Sequence, residues 1–355
     1  MIFTNRIKKI LEASEISKEK FLLINNTIDC YYYSGFKSSN AYILLNPLTS
    51  YYLTDNRYFA AAQKKIKHLK VIAIAQSLFE QLKKILKNKY LVVNANNTSL
   101  QFYNELIKQI SKKKIIIKSI DLADLRAQKN SDELQKIRNS AKIITTAFPK
   151  ILEKIKSGIT EFSLKNEIDY LLRLYGADEN SFDTIVLFGK RTMYPHGQSD
   201  KKNKLKKNDI ILIDFGAKLN EYCSDITRMI MLGKKNNEFI EKYEIIKTIK
   251  NNALQHIKLD DKYANIENYI ITELEKNKLA RYYLHSAGHG VGLAIHEKPT
   301  INRKSTDIIK NNQVFTIEPG VYIPNKFGIR IEDMYAVINN KLTKITNLSD
   351  ELLFI

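Results

Sequence analysis

The hydrophobic and polar positions of residues 1–122 alternate between short β-branched or aromatic runs and longer stretches with helical spacing. Side chains repeat every second residue along a strand and every third or fourth along a helix, so the two kinds of segment can be told apart. The pattern predicts strands over 27–33, 41–45, 51–54, 70–75, 90–94 and 114–119. It predicts helices over 56–65, 77–88 and 99–111. Such alternation is typical of a small α/β domain.

A second pattern begins after residue 122. Ser131, Asp132 and Glu133 precede apolar residues at helical spacing, as at a capped helix start, and the stretch 121–130 is the predicted domain boundary. Further helices are predicted over 161–175, 237–256 and 263–276, and strands over 182–188, 209–218, 221–232, 313–317, 328–337 and 341–344. We therefore expect an α+β fold, with an amino-terminal α/β domain over 1–122 and a second domain over 123–355.

Five polar side chains interrupt the apolar or glycine-rich runs of the second domain. They are Asp214, Asp225, His289, Glu318 and Glu332. A carboxylate is costly to bury unless positive charge lies beside it. Four carboxylates and one imidazole match the charge of two divalent ions and differ from the thiolate-rich sets of structural zinc sites. Manganese, cobalt or iron suit this oxygen-rich set best, and zinc is also compatible.

The spacing of the two aspartates fits a hairpin. If Leu219 and Asn220 form its loop, Asp214 lies directly opposite Asp225. Cβ atoms of such a pair are about 4.5–5.5 Å apart, and the ions of a two-metal site are about 3.5–4 Å apart. Arg330 and Glu332 share one face of a predicted strand, where the arginine could orient a metal-bound carboxylate or form a plain ion pair.

Four of the six histidines, His196, His285, His289 and His296, lie in motif-like surroundings. The glycines around His289 indicate a backbone that turns sharply or packs closely. A histidine on an apolar face is usually a core residue, so the grouping carries more weight than any one of them.

Composition narrows the function classes. The net charge of +19 is spread along the chain in short lysine clusters, which favours a basic solvated surface over a nucleic-acid site. A continuous apolar run of membrane-spanning length and a secretory signal are both lacking, so we expect a cytoplasmic protein without membrane partners. The two cysteines, Cys30 and Cys223, argue against a disulfide scaffold.

Residues 125–350 resemble the pita-bread metallopeptidases, most closely the Xaa-Pro branch of aminopeptidase P and prolidase. The resemblance rests on Phe182-Asp183-Thr184-Ile185-Val186, Pro195-His196-Gly197, Asp214-Phe215-Gly216, Ser224-Asp225-Ile226-Thr227-Arg228, the run from His285 to Gly292, His296-Glu297, Glu318-Pro319-Gly320 and Arg330-Ile331-Glu332-Asp333. The amino-terminal part is similar to the creatinase/prolidase-type domain through Tyr33-Ser34-Gly35-Phe36 and the stretch 53–58. These likenesses imply a pita-bread catalytic domain preceded by that domain.

The resemblance also implies roles. Asp214 would chelate one metal, Asp225 and Glu332 would bridge both, and His289 with Glu318 would hold the other. A water or hydroxide bridging the metals would be the nucleophile. Glu318 would act as general base, and the residues expected to bind substrate or stabilise the tetrahedral intermediate are His196, His285, His296 and Arg330. His285 would shape the proline pocket. The implied partners are a peptide with proline at its second position and a second copy of the chain in a homodimer.

Three alternatives remain at this stage. A methionine aminopeptidase uses a similar metal set, but His285 and the long amino-terminal domain favour the Xaa-Pro branch. A creatinase-like amidinohydrolase shares the two-domain shape. A non-catalytic binding protein of the same fold would be expected to have lost ligands, whereas all five ligand positions are present.

Overall fold

A computed structural model describes residues 2–355 and divides the chain into two units, one ending at Leu125 and the other starting at Arg126. Each unit has its own sheets and helices. Helix α6, Leu122–Ala127, contains the boundary. Within residues 2–355, no helix combines the length and the apolar character needed to span a membrane.

The first unit is a mixed sheet of six strands in the order β4-β3-β2-β1-β5-β6. Its strands are β1 Lys20–Ile24, β2 Ala41–Leu45, β3 Tyr51–Thr54, β4 Lys70–Ala73, β5 Tyr90–Asn94 and β6 Ile115–Lys118. Its helices are α1 Ile2–Ala13, α2 Thr27–Ser34, α3 Asn56–Lys65, α4 Leu78–Leu86 and α5 Leu100–Ile110. The pairs β3–β4, β1–β5 and β5–β6 are parallel, and the others are antiparallel. The expected α/β architecture of this region is confirmed.

One predicted strand is wrong. The stretch 27–33 forms helix α2, although its β-branched and aromatic residues favour a strand. Asn26 caps the helix by accepting a hydrogen bond from the Asp29 amide, and Gly35 ends it in the left-handed conformation, with φ of 70°. These two capping signals outweigh the propensity of the residues between them. Strand β1, at the centre of the sheet, was not among the predicted strands.

The second unit contains four further α-helices and fourteen strands. Its helices are α7 Ser131–Lys154, α8 Glu161–Leu174, α9 Asn237–Gln255 and α10 Ala264–Lys276. Its strands are β7 Glu179–Asn180, β8 Ile185–Phe188, β9 Ile210–Phe215, β10 Ala217–Leu219, β11 Tyr222–Cys223, β12 Ile226–Met231, β13 Gly288–Gly290, β14 Glu297–Ile301, β15 Val314–Ile317, β16 Gly320–Ile323, β17 Phe327–Arg330, β18 Asp333–Ile338, β19 Lys341–Lys344 and β20 Leu353–Phe354. All the helices predicted for this half of the chain are confirmed.

The strands of the second unit form four sheets. Their orders are β11-β10-β7, β20-β12-β9-β8, β14-β13-β15-β18-β19 and β16-β17. Every residue of β9 is buried, and its side chains alternate between two cores. Ile211 and Ile213 pack with α7 and α8, whereas Ile210 and Leu212 pack with α9 and α10. Asp214 follows Leu212 at a spacing of two and therefore shares its face of the sheet.

The predicted register of the hairpin is wrong. Leu219 pairs with Tyr222, so the two-residue loop is Asn220-Glu221, and both loop residues have positive φ, 50° and 70°. Two positive φ values match the turn that joins right-twisted strands most directly. The ladder therefore places Asp214 opposite Thr227 instead of Asp225. Asp225 remains on the same face, because it lies two residues before Thr227.

The predicted strand 328–337 is divided. Strand β17 ends at Arg330 and pairs with β16, whereas β18 starts at Asp333 and pairs with β15. Between them, Glu332 forms an isolated bridge to Thr227. The chain therefore changes sheets at the residues that place Glu332, and Arg330 and Glu332 do not belong to one continuous strand.

Candidate active site

Four buried or nearly buried carboxyl groups converge in the second unit, and we call Asp214, Asp225, Glu318 and Glu332 the acidic cluster. Potential ligand atoms of Asp225, His289 and Glu332 all lie within 4.8 Å of one another. His289 Nε2 is 3.6 Å from Asp225 Oδ2 and 3.5 Å from Glu318 Oε1. The structure thus brings His289 and three of the acids together, and Asp214 reaches the same cluster through Arg330.

Adjacent strands position these side chains. Thr227 lies opposite Asp214 in the ladder, and its hydroxyl donates a hydrogen bond of 2.8 Å to Glu332 Oε2. Glu318 directly follows β15, and its amide donates to the carbonyl of Ala287, two residues before His289. The acids therefore lie on, or just beyond the ends of, different strands that are held together by backbone and hydroxyl hydrogen bonds.

Glycines on either side of His289 allow close backbone contacts. A Cβ atom on Gly288 would lie 2.1 Å from the carbonyl oxygen of Thr316, and one on Gly290 would lie 2.2 Å from that of Lys298. Both distances are far below van der Waals contact. Glycine at these positions lets the strand carrying His289 approach its neighbours on both sides.

The orientation of the His289 ring suits a metal ligand. Nδ1 lies 3.1 Å from the carbonyl oxygen of Gly290. A carbonyl oxygen can only accept, so the Nδ1 atom carries the proton in the neutral ring and Nε2 presents its lone pair to the acids. Burial, followed by the nearby His296, lowers the pKa of His289 to about 4, so the ring is neutral at physiological pH.

Burial and mutual repulsion raise the pKa values of the acids. Burial and the charge of Glu332 raise the pKa of Asp225 and that of Glu318 well above their usual values. Burial and Asp214 raise the pKa of Glu332 to about 8. Arg330 supplies one positive charge against four carboxyl groups, which leaves the ionised cluster short of positive charge.

Two orphaned oxygen atoms test whether metal ions suit this cluster. Among residues 2–355, Asp214 Oδ1 and Asp225 Oδ1 are buried without a hydrogen-bond partner. A buried polar atom without a partner is costly, and carboxylate oxygens together with one imidazole are good ligands for divalent ions. The donor set, the charge deficit and the orphaned oxygens therefore fit divalent metal ions.

A chain of hydrogen bonds links the cluster to His285. Arg330 donates to Asp214 Oδ2 and, over 2.7 Å, to the hydroxyl of Tyr322. That hydroxyl lies 2.8 Å from His285 Nε2, and His285 Nδ1 lies 2.9 Å from the carbonyl oxygen of Ser286. Since the carbonyl accepts from Nδ1, Nε2 accepts from Tyr322. Burial and the charge of Arg330 lower the pKa of His285 to about 4, which keeps it neutral.

The other two predicted histidines are more exposed. The rings of His289 and His296 meet edge to face at a centroid distance of 4.3 Å. Burial and the nearby His196 lower the pKa of His296. His196 also contributes to the lowered pKa of His285, and the carbonyl oxygen of its neighbour Pro195 accepts a hydrogen bond from Arg330. All nine predicted site residues thus lie in one region of the second unit.

Thr227 and Tyr322 also belong to this region but were not predicted. Thr227 lies two residues beyond Asp225 on the same strand face, a signal that the sequence contained. Tyr322 lies opposite Gly328 in the β16–β17 hairpin, and the missing side chain of that glycine leaves room for its ring. Strand β16 was not predicted, so this contact had no counterpart in the sequence pattern.

Comparison with known proteins agrees with this geometry. Residues 135–339 match the sequence profile of metallopeptidase family M24, and residues 6–128 match that of the creatinase/prolidase N-terminal domain. The chain belongs to metallopeptidase family M24. Family membership implies divalent metal ions and makes the protein a peptidase.

Individual M24 relatives have similar length and shape. The Xaa-Pro dipeptidase of Pyrococcus furiosus is 30% identical over 352 residues, covering 98% of this chain and 99% of its own. A solved Xaa-Pro dipeptidase from Bacillus anthracis is 28% identical with a TM-score of 0.93, covering 99% of both chains. A solved X-Pro aminopeptidase from Thermotoga maritima is 29% identical with a TM-score of 0.90, covering 99% of this chain and 100% of its own.

These findings confirm two expectations. The creatinase-type domain followed by a pita-bread domain is the fold of the chain, and the protein is a metallopeptidase of the prolidase branch. The non-catalytic alternative is thereby set aside.

Proposed function

We propose that this M24 peptidase is an exopeptidase that hydrolyses the Xaa-Pro bond at the amino terminus of short peptides. Two divalent ions would be held by Asp214, Asp225, His289, Glu318 and Glu332. The observation that carries the proposal is the acidic cluster itself, in which four carboxyl groups face one arginine and two buried oxygens lack partners. Manganese is the favoured metal because the set is rich in oxygen, with cobalt, iron and zinc as alternatives.

The substrate class follows from the chemistry of the bond. The bond before proline is a tertiary amide without an N–H, so a peptidase that relies on that donor cannot hold it. Bound divalent ions would lower the pKa of water and polarise the scissile carbonyl without needing that donor. The names of the relatives, Xaa-Pro dipeptidase and X-Pro aminopeptidase, support this choice over methionine aminopeptidase.

The chain's own residues would divide the remaining work. Glu318, 3.9 Å from His285 Nδ1, would take a proton from the attacking water and return it to the proline nitrogen. His196 and His296 would bind the substrate and stabilise the charge that develops on the carbonyl oxygen. His285, fixed by Tyr322 and Arg330, would present a neutral ring to the proline side chain. We also expect a cytoplasmic homodimer.

A substrate panel tests the proposal. The metal-depleted protein is assayed with manganese, cobalt or zinc against Ala-Pro, Ala-Pro-Ala and Met-Ala-Ser. Cleavage of Ala-Pro alone indicates a dipeptidase, and cleavage of Ala-Pro-Ala an aminopeptidase. Release of methionine from Met-Ala-Ser, without proline-dependent cleavage, would overturn the proposal.

Glu318→Gln tests the role of the general base. Turnover is expected to fall by about 10²–10⁴-fold, the usual contribution of a positioned acid or base, with the fold unchanged by circular dichroism. Glu351→Gln is the matched control, because the Glu351 side chain is 66% exposed and forms a surface pair with Lys247. Wild-type turnover in Glu318→Gln would refute the assigned role.

A further inference from the structure

Glu161 binds a long segment of the chain through its carboxylate. It is the first residue of α8, and its side chain is fully buried. The carboxylate accepts hydrogen bonds from the amide of Phe188 at 2.8 Å, Arg191 Nε at 3.0 Å, the amide of Asp200 at 2.8 Å and Asn203 Nδ2 at 2.8 Å. All four donors belong to residues 188–203, which we call the His196 segment. Glu161 therefore joins both ends of this segment to α8.

A second contact closes the segment on itself. Arg191, which binds Glu161 through Nε, donates through Nη2 to the carbonyl oxygen of Gln198 at 2.7 Å. Residues 191 and 198 lie on either side of His196. Arg191 therefore connects the buried Glu161 carboxylate to the backbone close to His196.

The segment is also held from the side of the acidic cluster. Arg330, which binds Asp214, donates to the carbonyl oxygen of Pro195 at 3.1 Å. The amide of Gly328 donates to Thr192 Oγ1 at 2.9 Å. The backbone beside His196 is therefore fixed between two charged groups: Arg330 at the acidic cluster, and Glu161 on α8.

We infer that Glu161 is a positioning residue for His196, which it holds in reach of the substrate carbonyl by fixing both ends of the His196 segment. The inference rests on the proposed function, because it takes His196 to act on an Xaa-Pro substrate. Its physical basis is the hydrogen-bond capacity of a carboxylate. Two oxygen atoms that only accept can satisfy several donors at once, and no neutral side chain of the same size can do so.

Glu161→Gln is the variant that isolates this property. The amide has nearly the same shape, but its NH₂ group meets N–H donors and the charge opposite Arg191 is lost. The expected result is a tenfold to hundredfold fall in kcat/KM for Ala-Pro, about the effect of a small misplacement of a group that contacts the substrate. The manganese affinity should stay within about twofold of the wild type, because none of the donors to Glu161 belongs to the acidic cluster.

A double-mutant cycle with His196→Ala separates positioning from general weakening of the fold. If Glu161 acts through His196, adding Glu161→Gln to His196→Ala should lower kcat/KM by less than about threefold, since the group being positioned is already gone. Additive losses in the double variant would show that Glu161 acts elsewhere and would overturn the inference. Unchanged kcat/KM in Glu161→Gln alone would overturn it as well.

Two further variants keep the test decisive. Asn203→Ala removes one donor and leaves the carboxylate in place, so it provides the same cycle with His196→Ala if Glu161→Gln fails to fold. Glu133→Gln is the matched control, because Glu133 is a buried carboxylate that caps α7. It should lower thermal stability while changing kcat/KM by less than about twofold. An effect of Glu133→Gln on kcat/KM as large as that of Glu161→Gln would count against a specific role.

The wild-type assay distinguishes the two proposals. A metal-loaded wild type that does not hydrolyse Ala-Pro or Ala-Pro-Ala would overturn the proposed function, and this inference with it. An active wild type with additive effects in the cycle would overturn only the role of Glu161. Trypsin cleavage within the His196 segment gives a readout independent of activity, and Glu161→Gln should accelerate it relative to Glu133→Gln.

Discussion

Glu332 and Asp333 are neighbours in the chain and both side chains are buried, yet their carboxyl groups lie in opposite electrostatic surroundings. Burial and Asp214 raise the pKa of Glu332 to about 8. Burial also opposes ionisation of Asp333, but Arg228 and Lys250 outweigh it and lower the pKa of Asp333 below its usual value. Two adjacent residues of the chain thus belong to two different kinds of buried charge cluster.

The Asp333 network is balanced by the chain itself. We use this name for Arg228, Lys250, Asp333, Lys344 and Asp350. Arg228 Nη2 lies 2.6 Å from Asp333 Oδ1, Lys344 Nζ lies 3.1 Å from Asp333 Oδ2, and Lys250 also contacts that carboxylate. The hydroxyl of Thr346 donates to it at 2.9 Å. Lys250 Nζ also lies 3.1 Å from Asp350 Oδ2, so three cations meet two anions and the network has no deficit of positive charge.

The acidic cluster lacks that balance. Its four carboxyl groups face Arg330, and two of their oxygens have no partner among residues 2–355. In the Asp333 network, by contrast, the chain's own arginine and lysine side chains neutralise the buried acid. We infer that bound metal ions, and not side chains, provide the positive charge that the acidic cluster lacks.

The largest expected effect is that of Asp225→Asn on activity. Loss of a charged group from the proposed metal site should lower kcat/KM for Ala-Pro by at least about a thousandfold, the scale of losing a group that stabilises transition-state charge. The metal-free variant should nevertheless unfold at a temperature no lower than that of the metal-free wild type, because burial and Glu332 already disfavour the ionised Asp225. Differential scanning calorimetry of both metal-free proteins at pH 7.5 checks this, and a clearly less stable variant would contradict the comparison.

In contrast to Asp225→Asn, Asp333→Asn should mainly lower the stability of the protein. Arg228 and Lys250 would remain buried without their anion, and breaking a buried pair in this way costs about 3–5 kcal/mol. Chemical unfolding would measure the loss. Asp183→Asn is the matched control, because its side chain is 81% exposed and its surface pair with Lys165 should contribute less than about 1 kcal/mol.

The sign of the pH dependence follows from the lowered pKa of Asp333. Its contribution to stability is fully present above the usual pKa of aspartate and is lost as the pH falls through the lower folded value. Asp333→Asn should therefore lose most of its effect in strongly acidic buffer. An equal destabilisation at pH 2 and pH 7 would show that packing, not charge, is responsible.

Metal ions should stabilise the protein, and more so at higher pH. Because the folded pKa of Glu332 is raised to about 8, the metal-free protein binds protons more tightly when folded and loses stability as the pH rises towards 8. A divalent ion at a hundred times its dissociation constant adds about 2.7 kcal/mol. Thermal unfolding with manganese or with a chelator, at pH 6 and pH 8, should show the larger metal effect at pH 8. Equal shifts at both pH values would contradict this account.

The residues of the acidic cluster could be recognised in the sequence because they break a local rule. Asp214 ends a fully apolar strand, and Glu318 follows another, so each is costly in its own segment whatever the rest of the chain does. The two-domain fold could be predicted for a similar reason, since helices such as α3 have regular spacing and their own caps. Such local signals can be recognised in the sequence without knowledge of the tertiary contacts.

The register and the supporting residues could not be predicted in the same way. The hairpin loop is Asn220-Glu221, and a glutamate with positive φ has no clear sequence signal. Tyr322 meets Arg330 only because β16 and β17 pair, and Glu161 meets donors 27 to 42 residues away. Such contacts depend on the whole fold, so a single sequence contains no local trace of them.

Arg330→Lys should give the smallest effect of the series. It tests whether the acidic cluster differs in kind from the Asp333 network. A lysine keeps the charge beside Asp214 but cannot also hold Tyr322 and the carbonyl of Pro195, because Nη2 of the guanidinium group binds Asp214 while Nη1 donates to the other two. We expect a tenfold to hundredfold fall in kcat/KM, the usual cost of losing a group that orients a metal ligand. The unfolding free energy should change far less than in Asp333→Asn, because the charge count of the cluster is unchanged. If Arg330→Lys destabilises the protein as much as Asp333→Asn does, then Arg330 acts mainly as a structural cation, and the acidic cluster is closer in kind to the Asp333 network than the charge deficit indicates.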